Sequence, residues 1–180
     1  MMKEMTKTAT DRHFVHLDLP VEQSYDDFCR RFESAVPPFN RDHAAEFIER
    51  QAPWSEVAAE VAASAPNDFL IYWKLDITPL MSLAGNTRRA TEYLIGNHVI
   101  AETMYRHDPA VALYVPLRCA IYESGEGTRF TIDQPSTTLS SLGRDEITQV
   151  GIDLDHKLAK LLDALGLEPP AALAQARKKA

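Results

Sequence analysis

The chain has 180 residues, 45% of them hydrophobic and 25% charged, with a formal net charge of −7. That size and composition suit one compact domain with a real core and exclude a disordered chain. With no basic run beyond Arg88-Arg89 and Arg177-Lys178-Lys179, nucleic acid is not an expected partner; no apolar stretch approaches the ~20 residues of a membrane helix.

In chain order, residues 1–10 are polar and are expected to be disordered; they lack the apolar core of a signal peptide, so a cytoplasmic location is expected. Asp11 to Leu19 alternates, with Val15 and Leu17 on one side and Phe14, His16 and Asp18 on the other, which predicts a strand closed by Pro20. A helix follows from Val21 to Val36. Its stripe is Tyr25, Phe28, Cys29, Phe32 and Val36, and Pro37-Pro38 stops it. Residues 41–64 form a helical insertion of two short helices parted at Pro53, covering an edge or one end of the core.

Asn67 to Ile77 reads as a strand with Phe69, Ile71, Trp73, Leu75 and Ile77 inward. Gly85-Asn86 marks a turn, and Thr87 to Ile95 forms the next strand with Thr91, Tyr93 and Ile95 on one face. After a short helix, a long strand is predicted from Val111 to Glu123, with Leu113, Val115, Leu117, Cys119 and Ile121 together. Pro116 suggests an edge or a bulge there. The turn Ser124-Gly125-Glu126-Gly127 leads to a strand carrying Phe130 and Ile132, and a short helical stretch runs to Gly143. The last helix, Arg144 to Leu165, bears a near-continuous leucine stripe and ends at Gly166; residues 167–180 read as a flexible tail.

The expected fold class is α+β: an antiparallel sheet in strand, helix, helical insertion, four strands, helix order, with the long C-terminal helix packed on one sheet face. One domain spans residues 11–166. Tyr72, Tyr114 and Tyr122 on the opposite face are a candidate patch for a homodimer or a ligand. Cys29 and Cys119 read as buried free thiols.

Several segments carry a family resemblance. Tyr93-Leu94-Ile95-Gly96-Asn97, Ile100-Ala101, Met104, His107-Asp108, Tyr114-Val115-Pro116-Leu117-Arg118, Ile121-Tyr122-Glu123, Asp133 and Pro135-Ser136 resemble the bacterial domain-of-unknown-function family 302 (DUF 302). Phe28 to Phe39 is similar to the amino-terminal part of a longer branch of that family. The resemblance implies a bacterial protein of the TATA-box-binding-protein-like fold class and brings no settled activity. Two departures stand out: His98 occupies a place where the family often has proline, and Ile132 precedes Asp133 where it often has tyrosine.

Five polar residues are the candidate site: Asn97, His98, Arg118, Asp133 and Ser136. Asn97 reads as an N-cap; alternatively, the helix start behind it offers free N–H groups to an anion, as does the start at Pro135-Ser136. Arg118 on an apolar strand calls for a carboxylate partner, for which Asp133 is a candidate. His98, Asp133 and Ser136 have the residue types of a hydrolytic triad, without a Gly-x-Ser-x-Gly elbow. No metal site is expected: His13 and His16 face opposite ways on a strand, and His98/Glu102 and Asp153/His156 supply only two ligands each. The leading function is a small-ligand-binding or accessory domain for an anionic or apolar molecule. The alternatives are a hydrolase-like enzyme acting on a small acid or ester, with His98 as base, and a structural homodimer. The sequence names no cofactor.

Overall fold

The computed structural model describes residues 11–175. The expected disordered segment 1–10 lies outside the described residues, as does the end of the expected tail, 176–180.

The chain opens with β1 (His16–Val21), whose Leu17, Leu19 and Val21 point inward. Pro20 falls within this strand rather than ending it; β1 is an edge strand, where a missing ladder donor is tolerated. Ser24 then caps α1 (Tyr25–Ala35), its Oγ accepting from the Asp27 N–H at 3.2 Å. The insertion consists of α2 (Arg41–Glu49) and α3 (Trp54–Ser64). Val61 and Ala65 anchor α3 on Leu70, Val99, Phe39 and Tyr72, whereas α2 has no buried residue.

Beyond the insertion come β2 (Leu70–Asp76), a short α4 (Thr78–Ser82), β3 (Ala90–Gly96) and α5 (His98–Tyr105). These are followed by β4 (Leu117–Ser124), β5 (Gly127–Asp133), α6 (Pro135–Leu139), α7 (Asp145–Ala164) and α8 (Ala171–Gln175). The five strands form one antiparallel sheet in the order β1-β5-β4-β3-β2. Its inner face buries Tyr93, Ile95, Cys119, Ile121, Phe130 and Ile132 in one core with Phe28 and Phe32 of α1 and Leu154, Leu158, Leu161 and Leu162 of α7. Each such leucine or phenylalanine stabilises the fold by roughly 1.5–3 kcal/mol, and α7 contributes more of them than any other helix. The α+β order and the helical cover on one face are as the sequence predicts.

Three further readings are corrected. In β2, Ile71 pairs with Ile95 but Trp73 pairs with Leu94, so Tyr72 is an extra, bulged residue. A bulge inverts the alternation beyond it. Trp73 and Leu75 therefore face outward and are exposed, at 47% and 43%. Lys74 turns inward instead, where its Nζ lies 2.6 Å from Glu33 of α1.

Residues 109–113 are a 3-10 turn, not strand, and β4 begins only at Leu117. Asp108 caps that turn by accepting from the Ala110 N–H at 2.9 Å, and Pro109 suits its first position. The apolar alternation of Leu113 and Val115 is overridden by this local chemistry, and Leu113 is exposed. Pro116 precedes a central strand rather than marking an edge.

The third correction concerns the end of the domain. Gly166 closes α7 at φ +74°, but Leu167 and Leu173 return to the core and α8 packs on α7. Among the described residues, no helix is long and apolar enough to cross a membrane.

Candidate functional site

Where β3 ends, Gly96 brings its backbone close to Pro116; a Cβ built there would stand 3.4 Å from the proline Cβ. Asn97 then opens α5. Its Oδ1 accepts from the N–H groups of Val99 (3.0 Å) and Ile100 (3.2 Å), and its Nδ2 donates to the Asp68 carbonyl at 3.1 Å. The His98 N–H donates to Tyr72 Oη at 3.1 Å, and the Ala101 N–H to the Asn97 carbonyl at 2.8 Å. The first turn thus spends its N–H groups within the protein. None is left for an anion.

The same holds at α6. The Ser136 N–H donates to Asp155 Oδ1 at 2.9 Å, while the Ser136 hydroxyl and the Gln134 amide donate to Oδ2, each at 2.6 Å. Asp155 is fully buried. Burial pushes its carboxyl above the usual carboxylate range, and the bonds from Ser136 and Gln134 oppose that rise.

The remaining candidates have partners of their own. Arg118 lies on the outer face, its side chain 77% exposed, with Nε 3.0 Å from Glu92 rather than Asp133. Asp133 Oδ1 is 2.9 Å from His16 Nδ1. His98 is bonded to neither Asp133 nor Ser136. The three residues of the candidate triad belong to three separate pairs, and the hydrolase-like reading has no assembled site behind it. Among the described residues, no three His, Cys, Asp or Glu side chains gather to hold a metal.

Two of the five candidates do meet at a cavity. About 220 Å³ opens between α5, the bulged start of β2 and the segment 115–117; Asn97 and His98 line it. Its other walls are almost wholly apolar: Phe69, Ile100, Ala101, Met104, Pro116 and Leu154 among them. Arg118 and Asp133 line a different opening, of about 350 Å³, that shares only Pro116 and Leu117 with the first. Asn97 thus lines one opening and Arg118 and Asp133 the other, with Pro116 and Leu117 common to both. Ser136 lines neither.

Tyr72, expected on the outer face in a tyrosine patch, instead lines the first cavity beside His98. The bulge takes it out of the sheet alternation, and it stacks on Phe39 with ring centroids 4.6 Å apart. Its Oη lies 2.6 Å from His98 Nδ1. Burial pushes its phenol up to about 12, against the lowering effect of the His98 backbone bond, so it keeps its proton. Burial also pushes His98 below the usual imidazole value, with only Glu60 acting in the other direction. The ring is therefore neutral near pH 7. Tyr72 has no other acceptor among the described hydrogen bonds, so its proton goes to Nδ1 and the ring proton is assigned to Nε2. No sequence signal marks the bulge. Tyr72 thereby leaves the expected tyrosine patch, while Tyr114 packs edge-on against Phe14 and Tyr122 donates to Asp18.

The family model described as "Domain of unknown function DUF302" matches residues 48–165. No curated protein matches the chain. A crystal structure of an uncharacterized conserved protein DUF302 from Bacillus stearothermophilus superposes with a TM-score of 0.60 at 13% identity, covering 83% of this chain and 97% of that one. At that identity the likeness speaks to the fold alone.

Proposed function

The chain belongs to the DUF302 family, and from that premise we propose that it binds a small, largely apolar ligand in the cavity at Tyr72 and His98. The observation that carries this is an apolar space of about 220 Å³ with one neutral imidazole, held by one tyrosine, at its wall. Such sites join broad apolar contact to a few placed polar groups. An anionic ligand is disfavoured, because both helix starts are already satisfied internally. The size is above the roughly 150 Å³ that accepts benzene, so acetophenone, an aryl ketone, is a fitting probe.

Thermal melting with acetophenone tests the proposal. The wild type is expected to melt higher as the probe concentration rises, while Ala101→Phe, which fills the cavity from α5, loses the response. An unchanged melting temperature in the wild type at saturating probe contradicts it. The same proposal carries a bacterial origin and the TATA-box-binding-protein-like class, both supported by the family resemblance, together with a cytoplasmic location.

A second reading, association of two copies, is favoured by the outer sheet face. None of the described helices covers it there, and Trp73 and Leu75 stand exposed beside Leu94. Sedimentation measures it, and a strict monomer is the opposing result.

A further inference from the structure

His98 borders two spaces, not one. Under the helical insertion lies a second opening of about 190 Å³, lined mostly by apolar side chains, Phe39, Ala44, Phe47, Trp54 and Val57 among them, with Asn40, Glu60 and the same His98 ring as its polar groups. His98 is the residue the two linings share. Phe39 meets it edge-on at 5.5 Å, and Trp54 at 6.5 Å. Both spaces exceed the roughly 150 Å³ that admits a benzene ring.

A second observation comes from α2. Its apolar residues Ala44, Phe47 and Ile48 face this opening, yet none is buried; Ile48 is 77% exposed. The helix is held instead by polar contacts: Arg41 to the Tyr72 carbonyl at 3.0 Å, His43 to Glu60 at 3.5 Å, and the Arg50–Glu56 pair. An apolar stripe left short of protein partners, over an aromatic floor, fits a ligand that completes it. Phe39, Ala44 and Phe47 also lie ahead of the region the family model matches.

We infer that the two openings form one site for a two-lobed apolar molecule with a hydrogen-bond acceptor between its lobes, as in a diaryl ketone. One lobe fills the space beside α5 and the other the space under α2 and α3. The central acceptor takes the Nε2–H of His98. This rests on the reading of the first cavity as a ligand site and adds the class of ligand.

The test is an NMR titration of the full chain with acetophenone, benzophenone and diphenylmethane. Benzophenone should bind roughly tenfold or more tighter than acetophenone, since it buries a second ring. Diphenylmethane, which lacks the acceptor, should bind roughly tenfold weaker than benzophenone. Ala44→Trp, which fills only the second opening, should bring benzophenone down to the acetophenone affinity; Val57→Trp is the companion variant if the first does not fold. Equal affinity for benzophenone and acetophenone, or an advantage that survives both variants, overturns the two-lobed site while leaving the first cavity standing. Equal affinity for diphenylmethane overturns the role of His98. Failure of all three probes to bind removes the first cavity's reading as well.

Discussion

Burial at His98 works against protonation, and that gives the residue a signature in solution. The folded chain holds its imidazole below the ordinary value of 6.5, so on the way down in pH the unfolded chain takes up the proton first. Stability from this group is therefore fully present above pH of about 6.5 and is lost as pH falls through the lowered folded value. His98→Gln keeps an acceptor for Tyr72 but does not titrate. Denaturant unfolding from about pH 7.5 to about pH 5 should show the wild type losing more stability than the variant. Equal losses would mean that His98 is solvated as an ordinary histidine. That His98 occupies a helix start was readable from Asn97 and the apolar spacing behind it. Its bond to Tyr72 was not, because it depends on one bulged residue from a strand 26 positions away in sequence.

Elements were legible where period and capping chemistry agree. The stripe of Tyr25, Phe28 and Phe32 marks α1, although the expected start at Val21 falls ahead of the Ser24 cap; Asn97 marks α5; Asp145-Glu146 and the leucine stripe mark α7. Legibility failed where a local motif overrode the period, as at Asp108-Pro109, or where register slipped, as at Tyr72. The α6–α7 junction shows how much of the helix packing rests on one buried carboxylate. Asp155 accepts the first free N–H of α6 and two further donors, while Gly151 comes so close that a Cβ there would lie 2.9 Å from Ser136 Cα. Removing Asp155 leaves the half-buried Ser136 N–H and hydroxyl without their acceptor, and takes from the buried Gln134 amide its shortest bond, leaving it the Ala172 carbonyl at 3.2 Å. Asp155→Ala should destabilise the fold by about 3 kcal/mol or more, measured by urea unfolding. A loss below about 0.5 kcal/mol, the scale of ordinary surface substitutions, would show that the junction does not need the carboxylate. Nothing in the sequence near Pro135-Ser136 announces a partner on α7; the pairing exists only once the two helices are packed.

The whole molecule is a one-sided sheet, and its two faces pose different questions. The inner face is filled by α1 and α7, and its residues were legible because alternation in β3, β4 and β5 is regular. The outer face pairs charges across strands, as in Arg118–Glu92 and Arg129–Asp18, and leaves Trp73 and Leu75 exposed at the β2 side. If two copies associate there, Trp73→Lys should convert a sedimenting dimer to monomer, whereas a dimer unchanged by that substitution would place the contact elsewhere. Ligand binding, by contrast, is placed in the cavity at the end of the sheet. A crystal structure of the protein soaked with acetophenone tests it most directly. Ordered density is expected between Phe69, Tyr72, Ile100 and Pro116, with the ketone oxygen near His98; a space closed by Tyr72 or Met104, with no probe inside, is the opposing result.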